Sequence, residues 1–361
     1  MLLRRLQLRN HRNYAHLDIS MEPGVNVFLG ANGQGKTNLL ESVAMLALSA
    51  SPRARREVEL VGPVAAASRI EAEVESSGRR MELVIALNVE GERARRTIEV
   101  DGARRRAVDL PGHFRVTLFW PDDLGLIKAG PDQRRRFLNQ LLVQVQPGYA
   151  RALSGLRRIL EQRNSLLKRI AAGEAGVDEL DVWNAELVRV GTEVVDARAG
   201  AVNELAPEAA RRHAEIGAGE RLQIEYLGPP EDMAAAVHNS LAEDLRRGTT
   251  SIGPHRDDLR LLLGGQDARG YGSQGQQRTA VVSLKLAEAE LVARRTGERP
   301  VLLLDDVLSE LDLERRVALL RHVGGGGQVV ITSVDVGPFP PDLIAKASIW
   351  NVEAGQVEPC G

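Results

Sequence analysis

The chain of 361 residues contains only one cysteine, Cys360, so no disulfide can form within it. It has no apolar run of about 18 residues, the length that spans a bilayer, and the opening MLLRRLQLRN lacks the apolar core of a secretory signal. We therefore expect a cytoplasmic protein with no membrane partner, because disulfides persist mainly in oxidising compartments. The net charge of −2 does not by itself indicate nucleic-acid binding.

Positive charge is nevertheless unevenly distributed. Residues 1–136 carry 22 Lys and Arg against 17 Asp and Glu, whereas the remainder carries 25 against 32. Arginine suits contact with phosphates. Because 42 of the 47 basic residues are Arg, however, its clusters also fit an ordinary solvated surface. Both interpretations stay open for the candidate DNA contacts, which are Arg53, Arg55, Arg56, Arg104, Arg105 and Arg106.

The most informative motif is GANGQGKT over residues 30–37, which matches Gly-x-x-x-x-Gly-Lys-Ser/Thr. It lies between an alternating apolar strand and an apolar-periodic helix, so backbone N–H groups and the helix dipole can meet phosphate oxygens. Lys36 is expected to reach the β- and γ-phosphates and Thr37 to bind Mg²⁺. A glycine-rich turn without a ligand is the alternative. The predicted nucleotide-binding residues are Gly30, Ala31, Asn32, Gly33, Gln34, Gly35, Lys36, Thr37 and Asn38.

The pattern of apolar residues divides the chain into three parts. The first 120 residues and those after 250 are rich in strand patterns, and the part between them is helical. Heptad-like spacing there predicts an antiparallel helical hairpin with arms of roughly 20–30 residues, although ordinary amphipathic helices on a core fit as well. We expect an α/β fold in which the outer parts, 1–120 plus 249–361, form one lobe and one sheet. Residues 121–248 would form a helical lobe.

An apolar strand over residues 301–304 ends in two carboxylates, Asp305 and Asp306. At such a strand end in phosphate-loop proteins, an acidic residue holds Mg²⁺, and Asp305 fits that role. Asp306 can orient or deprotonate the attacking water, so Lys36, Asp305 and Asp306 are the candidate catalytic residues. The alternative is that both carboxylates cap the following helix.

A glycine- and glutamine-rich segment over residues 271–280 precedes this strand and contains Ser-x-Gly-Gln. The order of phosphate loop, this segment and acidic strand resembles the ABC ATPase superfamily. The resemblance implies that Ser273, Gln274, Gly275 and Gln276 of one subunit cap the γ-phosphate held by another. It also implies a dimer-interface loop at Glu310 and Asp312. Thr332 and Ser333 lie where transporters usually have a switch histidine, and they are the sensor candidates.

Within that superfamily the chain resembles the RecF family along nearly its whole length. The matching segments are LQLRNHRNY (6–14, with His11 in place of the usual Phe), GANGQGKTNLLES (30–42), FWPDDLGLIKAGPDQRRRFLN (119–139, with Asn139 in place of the usual Asp), TSIGPHRDDL (250–259) and LLLDDVLSELD (302–312). The resemblance implies an ABC-type, SMC-like ATPase head, with the helical lobe inserted between the phosphate loop and the signature segment.

The same resemblance implies a recombinational-repair function with ATP and Mg²⁺ as cofactors. An ATP-dependent homodimer would bind single-stranded, double-stranded or gapped DNA and act with RecO and RecR to help load RecA. DNA would stimulate slow ATP hydrolysis. Two other functions stay open: a transport ATPase subunit, and a DNA-binding scaffold that binds ATP without turnover.

Overall fold

The computed structural model describes residues 1–216, 219–323 and 326–360, which form three β-sheets and a set of helices. The strands are β1 (Leu2–His11), β2 (Tyr14–Ser20), β3 (Val25–Leu29), β4 (Ala67–Ser76), β5 (Arg79–Glu90), β6 (Arg93–Val100), β7 (Ala103–Arg105), β8 (Val116–Phe119), β9 (Leu222–Leu227), β10 (Asp258–Leu263), β11 (Gln266–Asp267), β12 (Val301–Asp305), β13 (Val329–Ser333), β14 (Ser348–Glu353) and β15 (Gln356–Pro359). The helices are α1 (Lys36–Leu48), α2 (Gly125–Lys128), α3 (Pro131–Val145), α4 (Tyr149–Ala171), α5 (Leu180–Glu215), α6 (Met233–Asn239), α7 (Leu241–Arg247), α8 (Ala268–Tyr271), α9 (Gln274–Thr296), α10 (Leu313–Val323) and α11 (Pro341–Ile344). None of these described helices is long and apolar enough to cross a membrane.

The first sheet is antiparallel, with the strand order β2-β1-β4-β5-β6-β7. Its central strand β4 was missing from the sequence prediction, although Ile70, Ala72 and Val74 alternate with polar residues and are buried. The predicted turn at Asp101 and Gly102 joins β6 to β7, and both residues have positive φ angles, of 50° and 72°. Such angles are typical of a two-residue hairpin turn.

The second sheet joins the two ends of the chain, as expected, but the expectation of a single sheet was wrong, because most strands of the first 120 residues form the separate antiparallel sheet and β10 and β11 pair with β9. Its order is β15-β14-β3-β13-β12-β8, and all pairs are parallel except the one between β14 and β15. Helix α1 packs between the two sheets, where Leu39, Leu40 and Val43 share a core with Leu3 and Val74. The carboxyl ends of β3, β12 and β13 therefore lie at one edge of the sheet.

The helical part contains the predicted hairpin, formed by α4 and α5, whose buried faces meet through residues such as Leu156, Leu187 and Val194. The arms have 23 and 36 residues, so the second is longer than expected. The region expected to be wholly helical also contains β9, which pairs with β10. The core beneath the hairpin includes Leu284 and Leu291 of α9. The division into lobes at residues 120 and 248 stays a prediction.

Buried ion pairs attach the hairpin to α7 and to the segment that precedes β10. Arg163 of α4 donates to Asp244 at 2.7 Å, and neither side chain is exposed to solvent. Arg198 of α5 similarly donates to Asp257 at 2.9 Å. A third arginine, Arg134, pairs with Asp258 and is also buried. Removing one partner of such a pair leaves an uncompensated buried charge.

Candidate nucleotide-binding site

The phosphate loop leaves β3 at the carboxyl edge of the parallel sheet and enters α1. Gly33 and Gly35 have φ angles of 82° and 119°, which residues with a β-carbon rarely adopt. A β-carbon at Gly30 would lie only 2.2 Å from the carbonyl oxygen of Val352. The backbone path therefore requires these glycines. Ala31 and Asn32 are exposed at the top of the loop.

Lys36 and Thr37 begin α1 and face the centre of the site. The Lys36 ammonium donates to the carbonyls of Gly30 and Ala31, at 2.5 and 2.9 Å. Burial lowers the pKa of Lys36, while Asp306 and Asp305 act in the opposite direction. Lys36 thus lies against the phosphate loop. When a nucleotide binds, its ammonium can exchange these backbone carbonyl acceptors for phosphate oxygens.

Thr37 and Asp305 come together from the two halves of the chain. The Thr37 hydroxyl lies 2.9 Å from Asp305 Oδ2, and the Thr332 hydroxyl donates to Asp305 Oδ1 at 2.8 Å. Burial raises the pKa of the Asp305 carboxyl, because its charge has little solvent around it. A hydroxyl beside a buried carboxylate is a set of hard oxygen ligands that fits Mg²⁺.

Asp306 follows at a sharply turned backbone position, with φ and ψ of 51° and 20°. Its N–H donates to the Thr332 hydroxyl at 3.1 Å. Its own Oδ1 is buried without a hydrogen-bond partner among the described residues, and its side chain makes no capping bond to the turn that follows. The structure therefore argues against the capping alternative for Asp306. It leaves an acceptor oxygen, free within the described part of the chain, beside Thr37 and Asp305, the candidate Mg²⁺ ligands.

The two sensor candidates contact the site through different atoms, Thr332 through its side chain and Ser333 through its backbone. Thr332 contacts Asp305 through its hydroxyl, whereas Ser333 accepts a hydrogen bond from the Gly30 N–H through its backbone oxygen at 3.2 Å. Both residues are buried. Their role as γ-phosphate sensors stays a prediction.

Two neighbouring turns, between β1 and β2 and between β14 and β15, hydrogen-bond to the phosphate loop. Neither turn was among the predicted site residues. Asn13, in the turn between β1 and β2, donates to the Gln34 carbonyl at 2.9 Å and accepts from Asn38 at 2.8 Å. The Tyr14 hydroxyl donates to the Gly35 carbonyl at 3.0 Å. From the other side, the Ala354 N–H donates to Gln34 Oε1 at 2.7 Å. In the sequence, Asn13 and Tyr14 stood out only as part of the segment 6–14 that resembles the RecF family. That resemblance does not indicate which residues they contact.

The signature segment begins α9. The Ser273 hydroxyl accepts from the Gln276 N–H at 3.3 Å, and the Gln276 side chain accepts from the Ser273 N–H at 2.6 Å, which forms a capping box. Ser273 and Gln274 are exposed, and Gly275 is partly exposed. Among the described residues, no hydrogen bond or ion pair joins this segment to the phosphate loop of the same chain.

Only part of the predicted interface loop can be placed. Asp312 accepts from the Arg315 N–H at 3.0 Å at the start of α10 and forms an ion pair with the Arg315 side chain. The Asp312 side chain is about half exposed. The side chain of Glu310 lies outside the described part of the structure.

The candidate DNA-contact arginines lie in two separate places. Arg53 is beside the phosphate loop, 3.3 Å from Asn38 Oδ1, and Arg55 lines a neighbouring polar cavity of about 530 Å³. Arg56 pairs with Glu59. The other cluster is on the exposed edge strand β7 and just beyond it, where Arg106 pairs with Asp109 while Arg104 and Arg105 project from the strand. Their contact with DNA stays a prediction.

Comparison with known proteins identifies the family. The model of the RecF/RecN/SMC N-terminal domain matches residues 2–339. The DNA replication and repair protein RecF of Heliobacterium modesticaldum is 40% identical over 370 residues, which cover 99% of each chain. The chain belongs to the RecF family. RecF of Moorella thermoacetica is 39% identical over 357 residues, covering 98% of this chain and 95% of that protein.

Solved structures agree on the fold. The recombination mediator protein RecF-ATP in the RecFOR pathway superposes with a TM-score of 0.91 at 31% identity, over 99% of this chain and 97% of that one. The Smc head bound to the C-winged helix domain of ScpA gives a TM-score of 0.54 at 14% identity, over 100% and 97%. The expected SMC-like ATPase head is therefore confirmed.

Replacing Asn13 by Ala removes the two hydrogen bonds that its side chain makes to Gln34 of the phosphate loop and to Asn38 of α1. We expect the dissociation constant for ATP to rise about thirtyfold, since each of the two lost bonds contributes about 1 kcal/mol to the ordered loop. Titration with a fluorescent ATP analogue measures this change. Asn88→Ala, at an exposed position on β5, is the matched control. Equal affinities in the two variants would show that the turn does not order the loop.

Proposed function

We propose that this protein is a DNA-binding, ATP-hydrolysing repair protein of the RecF type with ATP and Mg²⁺ as cofactors. The observation that carries the proposal is the contact of Thr37 with Asp305 beside Lys36, in a chain 40% identical to a DNA replication and repair protein. The solved RecF-ATP structure supports the choice of nucleotide, because it shares 31% of its residues over nearly the whole chain.

The chemistry follows from the positions of four side chains. Lys36 neutralises phosphate charge, and Thr37 with Asp305 would hold Mg²⁺, which when bound would supply positive charge for phosphoryl transfer. Asp306 has a buried oxygen without a partner among the described residues, so it can orient a water and accept its proton. Asn13 and Tyr14 keep the loop in place for this reaction.

The ATPase works as a dimerisation switch in this proposal. The exposed start of α9 presents N–H groups and a positive dipole end, a favourable site for an anion. The superfamily resemblance places Ser273 over the γ-phosphate bound by a second copy, arranged head to tail. Two triphosphates would then join the subunits, and hydrolysis would release them, because only ATP supplies the bridging phosphate.

The cellular role proposed for this dimer is to act with RecO and RecR in the cytoplasm and help load RecA at gapped DNA, with slow hydrolysis stimulated by DNA. Relatives described as RecF in the RecFOR pathway support it. Membership in the RecF family excludes a transport ATPase subunit. The scaffold that binds ATP without turnover remains the competing function, and measurements of hydrolysis decide between the two.

Replacing Asp306 by Asn keeps the size of the side chain but removes the proposed proton acceptor. We expect hydrolysis to fall about 100-fold or more, while ATP still binds and the ATP-bound dimer accumulates. Phosphate release, measured with DNA present and absent, tests this, with Asp342→Asn on α11 as the control. Normal turnover in Asp306→Asn would mean that another group orients the water. No turnover in the unaltered protein, with or without DNA, would favour the scaffold.

Replacing Ser273 by Arg should abolish ATP-driven dimerisation but leave ATP binding to the monomer intact, because the bulky side chain blocks only the second subunit. Sedimentation with ATP and with ADP measures the association. Ser273→Ala is the control for the lost helix cap, which costs about 1 kcal/mol of stability. If Ser273→Arg lowers the melting temperature like Ser273→Ala and still dimerises with ATP, Ser273 only caps α9.

DNA should bind across the helical lobe and the basic first 136 residues. The affinity should fall by about 0.9 log units per phosphate contact for each log unit of salt, because bound phosphates release counterions. Alanine at Arg104, Arg105 and Arg106 should reduce both the affinity and this slope in anisotropy titrations. Alanine at Arg299 and Arg321, exposed residues elsewhere, is the control. An affinity that is independent of salt, or unchanged in the triple variant, would place the DNA surface elsewhere.

A further inference from the structure

Arg315 of α10 packs against the first turn of α9, the helix that begins at the signature segment. Its Nε donates to the Thr279 hydroxyl, which in turn donates to the Gly275 carbonyl at 3.0 Å. A β-carbon added at Gly275 would lie 3.4 Å from Arg315 Nη2. The guanidinium is therefore in direct contact with the turn that carries the signature glycine.

The dipole of α9 alone makes the position of the Arg315 guanidinium, beside the start of that helix, unfavourable for a cation. The start of a helix carries partial positive charge, so it stabilises anions and disfavours arginine. Among the described residues, Asp312 is the only carboxylate paired with Arg315, and its side chain is about half exposed. Arg315 itself is 28% exposed. The arrangement concentrates positive charge at the exposed start of α9.

We propose that Arg315 is a further positioning residue of the composite ATP site, which orders Gly275 and supplies positive charge behind Ser273 for the γ-phosphate held by the second copy. This inference rests on the proposed head-to-tail dimer. Arg315 acts through Thr279 and Gly275 and through its charge, not by touching the substrate. Because Asp312 lies on the predicted interface loop, the same arginine links that loop to the signature segment.

The competing explanation is that Arg315 only fastens α10 to α9. In that case it would stabilise each chain by itself and would be indifferent to the nucleotide. The two explanations differ in whether the ATP held by the second subunit depends on Arg315, and that difference can be measured.

The first test compares Arg315→Ala and Arg315→Lys with the unaltered protein in sedimentation experiments with ATP and with ADP. We expect Arg315→Ala to weaken the ATP-dependent dimer about tenfold or more and to leave ATP binding by the monomer unchanged. Arg315→Lys keeps the charge and should recover part of the association. Arg294→Ala, at the far end of α9 and paired with Glu204, is the control. Unchanged association, or a lowered melting temperature with no effect specific to ATP, would overturn the proposal.

The second test mixes Arg315→Ala subunits with Lys36→Ala subunits, each of which should hydrolyse ATP poorly alone. If Arg315 serves the partner's ATP, every mixed dimer has one site with both Lys36 and Arg315 intact. An equal mixture should then recover up to about a quarter of normal turnover, since half the dimers are mixed and each has one intact site of two. If Arg315 serves only its own subunit, the mixture stays as inactive as its components, and the proposal fails.

The outcomes also separate this inference from the proposed function. If the unaltered protein does not dimerise with ATP, the composite site itself is wrong. If it dimerises and Arg315→Ala does so equally well, only the role of Arg315 is wrong.

Discussion

The contact between the Thr37 hydroxyl and the Asp305 carboxylate is the interaction on which the rest of the site depends. It joins residues 268 positions apart in the sequence. The parallel order β3-β13-β12 makes it possible, because it brings the ends of these strands to one edge of the sheet. Thr332 of the intervening strand adds a second hydroxyl to the same carboxylate. The buried charge of Asp305 is thus held by hydrogen bonds and fits a divalent cation.

Two parts of the site differ in their surroundings: the phosphate loop is held by neighbouring turns, and the start of α9 is exposed. Hydrogen bonds from the turns at Asn13 and Ala354 restrain the phosphate loop at Gln34. The start of α9, by contrast, presents Ser273 to solvent. Buried ion pairs such as Arg163 with Asp244 anchor the helical hairpin and keep that part of the chain in register. In the proposed dimer, each chain would contribute a nearly complete pocket and a cap for the pocket of its partner.

Much of the site could be predicted because its residues lie in short, contiguous patterns. Glycine spacing fixed the phosphate loop, and an apolar strand ending in two carboxylates identified Asp305 and Asp306. The rest depends on contacts between distant segments, which no local pattern contains. Asn13 and Arg315 hydrogen-bond to partners 21 and 36 residues away in the sequence. Strand β9 was missed because it follows a long helix and pairs with β10 outside the predicted helical lobe. The burial of Arg134 likewise depends on a distant partner, Asp258, which the three consecutive arginines at 134–136 do not reveal.

The central claim is that the triphosphate, and not the diphosphate, joins two copies of the chain. Sedimentation velocity of the unaltered protein over a range of concentrations, with Mg²⁺ and either ATP or ADP, tests it most directly. The account predicts a monomer with ADP and a concentration-dependent dimer with ATP that dissociates as ATP is consumed. A monomer under both conditions, or a dimer that forms equally with ADP, would contradict it.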